Sequence, residues 1–169
     1  NVLNMTAGIT HGSKTFNDAG PGRPLSAAGF LERHCFSVFP PGETHHYSNI
    51  SMAVADRMIE TVSGSSVADY MERELFSPLG MTRTSAHIGA DRVGSAATKY
   101  GSGGAVLPHS SFQPLAGGGY YSSAHDLMLY GNFHLKSSLA GSDPVLSDES
   151  LDQMHRSLPD IPGAMFALG

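Results

Sequence analysis

The stretch Phe39-Pro40-Pro41-Gly42-Glu43-Thr44-His45-His46-Tyr47-Ser48-Asn49 constrains this chain most, because it runs directly into the apolar-periodic segment Ile50 to Val62. Two prolines and a glycine forbid helix ahead of the triplet Tyr47-Ser48-Asn49, while Ser48 or Asn49 can cap the helix that follows. The triplet is therefore expected on a bend at a helix start, where a phenol and a carboxamide project from a rigid base. A tyrosine there can carry a proton, and an asparagine offers two donors and an acceptor to a substrate amide.

Helical periodicity organises most of the rest. Residues 1 to 24 are rich in Gly, Asn, Thr and Pro and read as loop, after which Pro24-Leu25-Ser26 opens a short helical pattern through Phe30, Leu31 and Cys35. Ile50, Ala53, Val54, Met58 and Val62 share one helical face, stopped by Ser63-Gly64. Val67, Tyr70, Met71, Leu75 and Leu79 repeat the period, with Ser65 or Ser66 as cap and Pro78 and Gly80 as the end. So short a connection predicts an antiparallel pair. From Met81 to Pro114 the period is lost, and Gly101-Ser102-Gly103-Gly104 between two short apolar runs predicts a β-hairpin near 96–107. Ser123 and Asp126 stand in capping-box-like spacing ahead of Leu127, Met128, Gly131 and Leu135, which predicts a third long helix, and a short one is expected from Ser147 to Arg156. The fold class is mainly α, in one domain over residues 1–169, with at most that hairpin as sheet.

Composition removes several function classes. With 40% hydrophobic and 15% charged residues the chain should be globular. A formal charge of -5, with Lys and Arg scattered singly, argues against a nucleic-acid partner. A membrane-spanning helix needs about 20 apolar residues in a row, and there is no such run. Cys35 is the only cysteine, so no internal disulfide forms. His45 and His46 are neighbours that point apart in an extended chain, and no histidine pair at H-E-x-x-H spacing supports them, so no metal site is expected. Gly117-Gly118-Gly119 lacks the G-K-[ST] of a phosphate loop and is better explained by close backbone packing. Asp18, Glu43 and Asp56 give no carboxylate pair for glycosidase chemistry.

Tyr47-Ser48-Asn49 after a proline-glycine turn resembles the second motif of the serine β-lactamase and penicillin-binding-protein superfamily. Other segments agree with the class C-like branch, in its order. Val2-Leu3-Asn4-Met5-Thr6-Ala7-Gly8-Ile9 is similar to the segment after the nucleophile helix. Val62-Ser63-Gly64-Ser65-Ser66 and Leu75-Phe76-Ser77-Pro78-Leu79-Gly80-Met81-Thr82 are similar to those after the Y-x-N motif. Gly117 to Leu127 looks like the glycine-rich approach to a later helix. The resemblance implies the helical region of a β-lactamase/transpeptidase-like α/β fold, without its N- and C-terminal sheet portions.

Two family motifs are missing. The residues three before Lys14, Lys99 and Lys136 are His11, Ala96 and Phe133, so there is no S-x-x-K, and nothing after Gly119 fits K-[ST]-G. The expected account is a central fragment of a longer hydrolase. By resemblance, the parent forms an acyl-serine on a β-lactam, a D-amino-acid peptide or a small ester and hydrolyses it without metal or other cofactor. The same resemblance suggests a periplasmic or extracytoplasmic setting, on which the residues themselves are silent. Tyr47 would be the catalytic proton carrier and Asn49 the substrate-binding clamp; their structural alternatives are a packed tyrosine and a helix cap. Ser48 lacks a lysine at i+3 and is expected to cap. Ionising a tyrosine of ordinary pKa about 10 near neutrality costs roughly 4 kcal/mol, which the family's lysines offset. This chain alone is thus expected to be catalytically silent, and its uncovered apolar helix faces to favour self-association. The alternative is a non-catalytic binding module with the same helical fold.

Overall fold

The computed structural model describes residues 1–11, 27–109, 117–136 and 144–156. Its elements are α1 (Ala27–His34), α2 (Asn49–Ser63), α3 (Val67–Met71), a π turn (Glu72–Phe76), a 3-10 turn (Val93–Ser95), β1 (Lys99–Tyr100), β2 (Val106–Leu107), α4 (Ala124–His134) and α5 (Asp148–His155). The mainly helical class and the short hairpin are as the sequence predicts. The expected loop and helix start over residues 12–26 lie outside the described residues.

Among the described residues, three apolar patches hold α1 to α4. Phe30 of α1 meets Ile50 and Ala53 of α2, with Ile9, Leu31 and Cys35 around them. Full burial of side chains such as Phe30 and Ile50 contributes roughly 2 kcal/mol each. Val67 of α3 packs on Ala86, joined by Ile59, Ala68, Met71 and Tyr120. Phe76, Leu79 and Met81 form the third patch, covered by Leu129, Tyr130 and Phe133 of α4 and by Val145. Met71 and Tyr120 belong to both of the last two patches, which makes them continuous.

Helices α2 to α5 carry caps their sequence offers. Ser48 caps α2 by accepting from the Ser51 amide, and Gly64 ends that helix at φ 68, its amide donating to Glu60 O. Ser66, Ser123 and Ser147 cap α3, α4 and α5 by accepting from the amides of Asp69, Asp126 and Ser150. The hairpin pairs Lys99 with Leu107 and Tyr100 with Val106. Gly101 N donates to Ala105 O at 2.9 Å, and Gly104 takes φ 77 in the turn.

Three expectations need correction. The second period does not run as one α-helix to Leu79: after Met71 the chain widens into the π turn, in which Ser77 N donates to Glu72 O. Pro78 has no amide to continue the ladder, and the extra residue per turn carries Phe76 into the core where Leu75 is only half-buried. In α4 the expected apolar positions Leu127, Met128 and Leu135 are exposed. Asp126 is the buried residue instead, and burying it turns 129, 130 and 133 inward, at i+3, i+4 and i+7. In α2, Ile50 and Ala53 are buried as expected, together with Ser51, Met52, Ala55 and Asp56, but Met58 and Val62 emerge from the body.

Candidate active site

The bend ahead of α2 hangs on residues 1 to 11. Thr6 is fully buried, and its hydroxyl lies 2.7 Å from Asn4 Oδ1 and 3.1 Å from Asn1 Oδ1. The Gly42 amide donates to Thr6 O at 2.7 Å, and the amides of Val38 and Phe39 converge on Gly8 O at 2.7 and 3.2 Å. Gly8 has φ +68, and a Cβ there would stand 2.1 Å from Phe39 O, so no other residue fits this crossing. Ile9 and Ser37 form an antiparallel bridge, and Thr10 N donates to Phe36 O at 2.9 Å.

Around Tyr47 the grip tightens to single atoms. The His46 amide donates to Met5 O at 2.7 Å, and the Ser48 amide donates to Met5 Sδ at 3.4 Å. Met5, buried and at φ 60, thus holds the residues on both sides of Tyr47. A non-glycine residue in the left-handed region costs free energy that surrounding contacts must offset, a feature common at functional sites. Ser48 Oγ donates to Thr10 O at 2.7 Å while accepting from the Ser51 amide at 3.0 Å. His11 Nδ1 lies 2.8 Å from Tyr47 O, and the two rings are 5.5 Å apart, centroid to centroid.

Tyr47 is 45% exposed, Ser48 is fully buried, and Asn49 is half-buried as the first residue of α2. Tyr47 and Asn49 therefore flank one helix start, with the serine between them turned into the body. Ser48 is the cap, as expected, and its hydroxyl is committed on both sides; Asn49 is not the cap. His46 packs edge-on against Phe39 at 5.2 Å. Among the described residues no group of three or more His, Cys, Asp or Glu could hold a metal ion.

A second polar cluster escaped sequence reasoning. Asp126 is 1% exposed and receives the Arg83 amide at 2.7 Å, Thr84 Oγ1 at 2.8 Å and Ser123 Oγ at 3.1 Å. Burial alone would raise its pKa, but hydrogen bonds from Thr84, the Arg83 amide, Ser123 and His125 outweigh that and hold it below the ordinary 3.8. An ionised carboxylate only accepts, so Thr84 gives its proton to Asp126 and receives one from Ser122 Oγ, 2.8 Å away. That chain of hydroxyls resembles a proton relay, yet a carboxylate so well satisfied is a poor base. It works as a latch between the segment after Met81 and α4, beside the bridge Ser85–Tyr121. The capping-box spacing pointed to Ser123 and Asp126; the partners 42 and 43 residues earlier left no local mark.

Helices arranged in this way around a capped start that follows a Tyr-Ser-Asn bend define the helical region of the β-lactamase/transpeptidase-like fold. Many solved structures share it, and two of them illustrate the match. A β-lactamase/D-alanine carboxypeptidase from Pseudomonas syringae is 17% identical with a TM-score of 0.66, the match covering 90% of this chain and 42% of that one. An octameric penicillin-binding protein homologue from Pyrococcus abyssi is 21% identical with a TM-score of 0.68, over 98% of this chain and 41% of the other. The family model described as Beta-lactamase matches residues 1–163, and the chain belongs to that family. A curated relative, the unguisins hydrolase ungD' of Aspergillus campestris (strain IBT 28561), is 29% identical over 85 residues, which are 49% of this chain and 16% of that protein. The chain spans about two fifths of the length of the two solved structures and about one sixth of the curated relative.

Proposed function

We propose that this chain is the central, mostly helical portion of a β-lactamase-related serine hydrolase, to which it contributes Tyr47 and Asn49. The observation that carries this reading is the bend itself. An exposed phenol stands beside a buried, fully committed serine at the start of α2, on a backbone fastened at His46, Tyr47 and Ser48 by residues 5 to 11. Rigid placement of this kind lowers the cost of orienting a reacting group.

In the whole enzyme a serine from outside this chain would attack the acyl carbon of a β-lactam, a D-amino-acid peptide or a small ester. Tyr47 would carry the proton from that serine to the leaving group, and Asn49 would hold the substrate's amide carbonyl. Water then releases the acyl group by the same proton route in reverse. The names of the relatives, a carboxypeptidase and a hydrolase of unguisins among them, support acyl transfer in general rather than one acyl group. Without the nucleophile the chain alone is catalytically silent, and its uncovered helix faces favour self-association.

The test is the intact mass of the protein from its native source, before and after an excess of a β-lactam or fluorophosphonate probe. The expected result is a native mass well above the 17.8 kDa of this chain, with one adduct on a serine outside it. A native mass equal to this chain with no adduct would sink the hydrolase reading in favour of a binding module.

A further inference from the structure

The grip on Tyr47 includes one histidine ring. Residues 5 and 10 hold the bend through a backbone carbonyl, a thioether and a second carbonyl, whereas His11 holds it through an imidazole nitrogen. The partner of that nitrogen is the Tyr47 carbonyl, which can only accept. At 2.8 Å the contact is a hydrogen bond, so Nδ1 carries the proton. Neutral His11 must then keep its lone pair on Nε2, the reverse of the tautomer that a free histidine side chain prefers in water. The ring that makes this bond also lies against the Tyr47 phenol, with centroids 5.5 Å apart.

We propose that His11 is a positioning residue for Tyr47. Its Nδ1–H fixes the carbonyl of the residue that presents the phenol, and its ring supports the phenol ring. Met5 fastens the amides before and after Tyr47, and His11 fastens the carbonyl between them. The functional meaning rests on Tyr47 being the proton carrier proposed above; the tautomer does not.

The experiment is a long-range proton–nitrogen correlation spectrum of the histidine rings of this chain, recorded at a pH above the ordinary imidazole pKa of about 6.5. His11 is expected in the Nδ1–H form. The variant His11→Asn offers an amide N–H to the same carbonyl and should keep the Tyr47 carbonyl carbon and Ser48 amide resonances near their wild-type positions. His11→Ala should shift both. An Nε2–H ring at His11, or unmoved Tyr47 and Ser48 resonances in His11→Ala, would overturn the proposal; the tautomer reading needs no variant, so it stands even where His11→Ala fails to fold. No turnover enters the measurement. A failure here therefore appears as the wrong tautomer, and a failure of the hydrolase reading as a missing probe adduct.

Discussion

Two side chains carry more of this structure than their size suggests. Ser48 closes the first turn of α2 and ties it to Thr10, so Ser48→Ala removes both interactions at a fully buried position and should cost about 2 kcal/mol in denaturant unfolding. A loss below about 0.5 kcal/mol would mean that the cap contributes little. Asp126 supports a sharper prediction. Its folded-state pKa lies below the ordinary 3.8, so the folded protein binds fewer protons there than the unfolded chain. The stability it gives is complete above the unfolded carboxylate pKa of about 3.9 and is lost as pH falls through the lower folded value. Asp126→Asn should therefore be less stable than wild type at neutral pH by about 3 kcal/mol, with the gap closing below about pH 4. A gap that stays constant into acid would show that the charge is not what matters.

At the scale of elements, the sequence announced where helices begin more clearly than which face they bury. The serines at 48, 66, 123 and 147 are local signals that need nothing beyond the next turn, and all four cap as their spacing suggests. Faces are set by distant partners. The pull of Asp126 toward Arg83 and Thr84 rotates α4 away from its apparent apolar stripe, and the π turn does the same for Phe76. The Tyr47 bend was legible because prolines and a cap bracket it; the hold of Met5 and His11 was not, because it joins residues 36 to 43 apart. Between α4 and α5 another distant pair forms. His134 Nδ1 and His155 Nε2 lie 2.8 Å apart, with ring centroids at 5.1 Å, so the nitrogens face each other almost head on and share one proton. Around them stand Tyr130, edge-on to His134, and the ion pair of Lys136 with Asp152. Burial, then the charge of His155, lowers the pKa of His134 below the ordinary 6.5, so the stability the tie gives is full above that ordinary value and is lost as pH falls through the lower folded one. Hydrogen exchange at Leu151 and Met154, corrected for intrinsic rates, should quicken between about pH 7 and pH 5, and His155→Phe should abolish that dependence. Equal pH dependence in both proteins would count against the shared proton.

Across the molecule, apolar side chains remain uncovered: Leu127, Met128 and Leu135 at α4, Met58 and Val62 on α2. Among the described residues no helix is long and apolar enough to cross a membrane, so these faces are not explained as a span. Sedimentation of the isolated chain should show concentration-dependent association, and Leu127→Lys with Met128→Glu should reduce it without loss of helix signal. A monomer at all concentrations in the unsubstituted chain would contradict this. The hydrogen bonds that fasten the Tyr47 bend reach back 36 to 43 residues, while the serine caps of α2 to α5 reach three. Closing those long loops costs chain entropy before any of their bonds repays it, so helices and caps can form early and the bend late. The phenol of Tyr47 then acquires its fixed surroundings only when the two ends of this network meet, and the appearance of that order in a refolding experiment would time the completion of the fold.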